Sequence, residues 1–88
     1  MWSAKSDEEI KAAVRGIVRT SSDDEEIVRR IKSELGCPYG AAITSHVPSD
    51  DTGRTARSIV QALGGLVRKD GAMVMLMMHG PRGNTISV

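Results

Sequence analysis

Arg54, Thr55, Arg57, Ser58 and Gln61 stand within one short stretch, and together they carry the side-chain types that read a nucleic-acid duplex. An arginine guanidinium can donate to guanine O6 and N7 at once, and a glutamine amide matches adenine N6 and N7. Serine and threonine hydroxyls serve bases or phosphates. Further along, Arg68, Lys69 and Arg82 supply cations for phosphate oxygens, and Asn84 adds a neutral polar group beside the last of them. No comparable set exists for catalysis. The acids gather at expected helix starts, where capping accounts for them, and no glycine-rich phosphate loop opens a helix. Cys37 is the single cysteine and His46 and His79 are the two histidines, which excludes an intramolecular disulfide and any multi-cysteine zinc site. The chain is expected to be a binding module, not an enzyme, with no cofactor and no metal.

Charge distribution agrees with that reading. The net charge is only +1, but residues 1–36 hold seven Lys/Arg against eight Asp/Glu, whereas residues 52–88 hold five Lys/Arg against Asp70 alone. Cations therefore collect on the half that carries the polar set, as a polyanion partner would require. Aromatic residues are scarce, one Trp, one Tyr and no Phe, which argues against the stacking platforms of single-strand and RNA readers. Eighty-eight residues allow a single domain with a modest aliphatic core. The longest apolar run, Ala72 to Met78, is too short to span a bilayer, and the acidic turn at Asp7 argues against a signal peptide. An intracellular setting is expected, with duplex DNA as partner, a homodimer as an open arrangement, and no membrane.

Elements must hold these residues in place. Ser6-Asp7-Glu8-Glu9 reads as a capping box, and Ile10, Ala13, Val14, Ile17 and Val18 behind it line one face of a helix over 6–20. Ser22-Asp23-Asp24-Glu25 repeats the capping chemistry. Ile27, Val28, Ile31 and Leu35 make the second buried stripe, and Gly36 supplies the stop. Residues 41–47 satisfy either a short helix or a strand; neighbouring context favours the helix, which Pro48 ends. A third long helix is expected over 52–69, with Asp50, Asp51 and Thr52 among its N-cap oxygens. Its buried stripe would be Ala56, Ile59, Val60, Leu63 and Val67. Gly64-Gly65 could instead end it and send Leu66 to Lys69 into a hairpin at Asp70-Gly71, but the stripe through Val67 favours continuation. Met73 to Met78 reads as a strand buried on both faces or shared with a partner, and Thr85 to Val88 as its return strand. Cys37 reads as a small buried apolar residue.

From Asp24 to Val88 this order resembles a winged helix-turn-helix domain. The likeness rests on Glu25 to Gly36, Pro38 to Thr44, Thr55 to Leu63 and the closing hairpin with His79-Gly-Pro-Arg-Gly-Asn84 at its tip. It implies an α+β fold with a three-helix core over 23–88, an extra N-terminal helix at 6–20 and a C-terminal β-hairpin wing. It also implies a small transcriptional regulator that reads duplex DNA with helix 52–69 and a basic wing, commonly as a dimer. A second resemblance, to the caspase large subunit, rests on Asp50 to Arg54 and on Met73 to Gly80. It implies an inactive fragment or decoy, because no cysteine follows Cys37. The remaining alternative is a regulator that binds another protein through the Met-rich strand.

Overall fold

Two capped helices open the chain. The computed structural model describes residues 1–49 and 54–88, and the side chains of Arg54 and Thr55 lie outside that description. Helix α1, Asp7–Arg19, starts with both halves of the expected box: Ser6 Oγ accepts the Glu9 N–H at 3.2 Å, and Glu9 Oε1 accepts the Ser6 N–H at 3.4 Å. Helix α2, Asp24–Leu35, is capped one residue later than its sequence suggests. Asp23 accepts the Glu26 N–H at 2.7 Å, while the Glu26 carboxylate reaches back to the Ser22 N–H at 2.9 Å. Gly36 closes α2 in the left-handed region at φ 71°. Arg30 then fixes the two helices to each other, donating to Thr20 Oγ1 at 2.7 Å and to the buried Ser21 Oγ at 3.2 Å.

Strand β1 (Ala42–Val47), helix α3 (Arg54–Ala62), and strands β2 (Leu66–Val67), β3 (Met73–His79) and β4 (Thr85–Ser87) complete the α+β fold. Strand β3 is central. It pairs with β1 along one edge, and with β2 and then β4 along the other, antiparallel throughout. Beyond β4, Val88 and Leu76 exchange backbone hydrogen bonds at 3.0 and 3.2 Å.

Alternation along β3 divides the core, because successive side chains of a strand point to opposite faces. Val74, Leu76 and Met78 join Ile86 beneath Ile10, Val14, Ile17 and Val18 of α1 and Ile27, Ile31 and Leu35 of α2. On the far face, Met73 packs with Val47 and with Val60 of α3, flanked by Met75. Cys37 is buried on the helix side, as its sequence context suggests.

Three expectations need correction. Residues 42–47 form a strand, because pairing with β3 supplies the backbone hydrogen bonds that a short helix would have to make alone. Among the described residues the fold therefore has three α-helices, not four. The helix expected over 52–69 ends at Ala62, and its N-cap candidates Asp50, Asp51 and Thr52 lie outside the described residues. Gly64 sits at φ 91°, the Gly64 N–H donates to Gln61 O at 3.1 Å, and the Gly65 N–H donates to Val60 O at 2.8 Å. That double closure is a Schellman motif. A Cβ on Gly65 would lie 2.2 Å from Val60 Cγ1, so only glycine fits there. The hairpin alternative at Asp70-Gly71 is thus the one realised, with β2 as its first strand. Finally, of the stripe expected to be buried on α3 and beyond it, only Val60 is sealed; Ala56, Ile59, Leu63 and Val67 are exposed.

Candidate functional site

Helix α1 places Arg15 and Arg19 one turn apart on its exposed side. Lys69 comes up beside them because its N–H donates to Ser21 O, at the α1–α2 turn, at 3.0 Å. The β2–β3 turn that carries Lys69 is tight: Arg68 N–H bonds Ala72 O at 2.7 Å and Gly71 N–H bonds Arg68 O at 3.0 Å. Together Arg15, Arg19, Leu66, Val67, Arg68 and Lys69 line an open hollow of about 520 Å³. No acid lines it.

Arg68 is compensated inside the fold. It donates to Asp24 at 2.7 Å and to Asp70 at 2.5 and 3.0 Å, and its side chain is 9% exposed. The Arg68 hydrogen bonds, helped by the Ala72 N–H, hold the Asp70 carboxyl down to about 2. The same bonds to Asp70 push the Arg68 guanidinium up, and those to Asp24 add to the rise. Asp24 Oδ2 also lies 3.0 Å from His46 Nδ1 and accepts its N–H in the tautomer that carries the proton there. Arg15, Arg19 and Lys69 have no acid partner among the described residues. They are the uncompensated charge of the hollow.

The other residues expected to touch DNA are dispersed. Arg57 Nη1 donates to Pro48 O at 3.2 Å and to Gly71 O at 2.6 Å, so it binds α3 to the end of β1 and to the β2–β3 turn. Ser58 and Gln61 are exposed on α3. That helix covers the far face of the sheet, opposite α1. Arg82 is held by Asp7 and by Lys5 O, and Asn84 Nδ2 donates to Asp7 at 3.0 Å. The hairpin tip is thereby clasped to the start of α1, whereas Lys69 lies at its end. Thirteen residues of helix separate the two, about 20 Å. The seven of these residues whose side chains are described do not gather on one surface.

Arg15 and Arg19 were not among the residues singled out from the sequence. Their signal is a cation spacing, Lys11, Arg15 and Arg19 every fourth position, which the hydrophobic pattern of α1 relegates to its solvent side. The Met-rich strand offers no free edge, since β3 is paired on both sides. His79 is exposed, edge-on to Tyr39 with ring centroids 5.9 Å apart, while Cys37 is sealed in the helix-side core. Among the described residues no cluster of His, Cys, Asp or Glu could hold a metal ion, and no helix is long and apolar enough to cross a membrane. Comparison with protein-family models, with curated proteins and with solved structures returns no match to this chain.

Proposed function

We propose that this domain is a duplex-DNA-binding module anchored through Arg15, Arg19 and Lys69. One observation carries the reading: among the described residues, three cations without acid partners rim one hollow that no acid lines. Such a site suits phosphate oxygens, and the exposed Val67 beside it suits sugar edges. What supports a winged-helix likeness is the β3–β4 hairpin after α3, with Pro81-Arg82 at its tip. The likeness is to the wing, because β1 occupies the place of the helix that would precede a recognition helix. Since α3 faces the other way, anchoring by phosphate contacts comes first and base reading by Gln61 is not required.

The test is fluorescence anisotropy with a labelled duplex of about 20 base pairs, between about 50 and about 200 mM salt. Three phosphate contacts predict a slope of log K against log salt near −3, at about 0.9 per neutralised phosphate. Arg15→Ala, Arg19→Ala and Lys69→Ala should each reduce that slope by about one, uniformly across sequences. Gln61→Ala should leave binding unchanged. No binding at the lowest salt, or parental binding by the triple variant, would remove the proposal.

A further inference from the structure

The two outer edges of the sheet are guarded unequally. On one side the edge is broken into β2 and β4, two and three residues long, with the Arg68 clasp and the Gly80-Pro81 turn beside them. On the other side β1 runs six residues, Ala-Ile-Thr-Ser-His-Val, with no Lys, Glu, Arg, Asp or Pro among them. Its outer edge has no partner strand among the described residues. The register shift between Ile43 and Ser45 is its one irregularity. An open edge of this length is a template for another strand unless the fold protects it.

Helix α2 gives this edge a wall. Asp24 meets His46 at 3.0 Å near one end of β1, and a Cβ at Gly40, just before the other end, would lie 3.5 Å from the Lys32 stem and 3.8 Å from Val28. The row Asp24, Val28, Lys32 therefore runs along β1, antiparallel to it. Just outside that row, Asp24, Glu25, Val28, Arg29, Lys32 and Ser33 line an open groove of about 670 Å³. Its acids lie at the end nearest Val47, its cations at the end nearest Ala42, and Val28, which the sequence assigns to the buried stripe, forms the apolar middle.

We infer that this edge and groove take an extended peptide from a partner protein, added as a strand antiparallel to β1. Its N-terminal part is basic, opposite Glu25, its centre is apolar, against Val28, and its C-terminal part is acidic, opposite Arg29 and Lys32. Main-chain bonds to β1 provide the grip and the groove provides the selection. A lone strand fits better than a second copy. Joining two β1 edges sets strands about 4.8 Å apart, while the α2 helices lying along them need about 8–10 Å.

The probe is a synthetic peptide of about seven residues, enough to span β1 at about 3.4 Å per residue. It has lysine at its start, valine at its centre, glutamate at its end and threonine between. Amide NMR of the full chain should show saturable shifts along Ala42–Val47 and at Val28. The same peptide with its two charges exchanged should bind roughly fivefold more weakly at low salt, about 1 kcal/mol from two exposed ion pairs. Val28→Asp, at a position that is already half-exposed, should weaken the probe by tenfold or more while the fold's other amides stay in place. Absence of shifts on β1, or equal binding of the exchanged peptide, overturns the inference. Shifts on β1 that grow with protein concentration alone would assign the edge to a second copy and overturn it as well. None of these readouts depends on DNA binding.

Discussion

The two faces of the sheet are built to different standards. Under α1 and α2, twelve buried residues from both helices, from strands β3 and β4, and from Cys37 after α2 form one continuous cluster. Under α3 there are three, Val47, Val60 and Met73, with Met75 alongside. Outside that small cluster Ile59 and Leu63 are 57% and 66% exposed, and Met77 of β3 is 42% exposed. Burial contributes about 25 cal/mol for each Å² of apolar surface removed from water, so nearly all of that stabilisation comes from the helix-side face. The α3 face is held by other means: the Schellman closure at Gly64-Gly65 and the two carbonyls that Arg57 bridges. A chain this small can leave one layer thin because the other layer carries the fold.

The sharpest way to break this comparison is to truncate one residue on each face. Leu76→Ala removes a fully buried side chain from the centre of β3 and should cost about 3–4 kcal/mol in chemical denaturation. Leu63→Ala on α3 should cost about 0.5 kcal/mol or less. Val60→Ala, buried but in the small cluster, should fall between them at about 1–2 kcal/mol. Equal losses at Leu76 and Leu63 would mean that the exposed flank of α3 is covered in solution, and the contrast between faces would fail.

A smaller effect tests how the two helices are joined to the β2–β3 turn. Arg68→Ala releases both Asp24 and Asp70 and should cost about 1–2 kcal/mol, discounted because both carboxylates are partly exposed. The same pair predicts a pH dependence. Asp70 is held down to about 2 from an ordinary 3.8, so its contribution is complete above about 3.8 and is lost as pH falls toward 2. Stability followed across that window should fall less steeply in Arg68→Ala than in the parent. An identical acid slope in the two proteins would show that the clasp does not hold the Asp70 proton off.

Much of the helical half was legible because local rules decide it. The box at Ser6 and the stripe of Ile10, Val14, Ile17 and Val18 need no tertiary information, and both are present. Strand β3 and the hairpin to β4 were legible from apolar density and turn residues. Residues 42–47 were not, since Ile43 and Val47 fit a helix with Ala42 and a strand with Ala41, and only pairing with β3 decides between them. The end of α3 is not legible, because an apolar stripe continues through Val67 across two glycines that form its C-terminal closure. The expected nucleic-acid residues were chosen by type. Type alone does not reveal that Arg57 is occupied by carbonyls, Arg68 by two acids, and Arg82 by Asp7. Arg54 and Thr55 lie outside the described side chains.

The smallest effect separates a clasp from a wing. Arg82 is half-exposed and pairs with Asp7 and Lys5 O, so Arg82→Ala should cost only about 0.5 kcal/mol, less at high salt. Asp7→Ala should cost more, about 1 kcal/mol. Asp7 accepts from both Arg82 and Asn84 and also stands in the first turn of α1, where a negative charge is favoured by the positive end of the helix dipole. In the double variant the Arg82 loss should shrink to what its bond to Lys5 O contributes, since the carboxylate partner is already gone. The DNA assay supplies the other half of the argument. If Arg82 serves as a clasp, Arg82→Ala leaves the salt slope unchanged while Arg15→Ala lowers it. A drop of about one unit with Arg82→Ala, against none with Arg15→Ala, would move the contact surface to the hairpin tip and reverse the placement argued from the hollow beside Lys69.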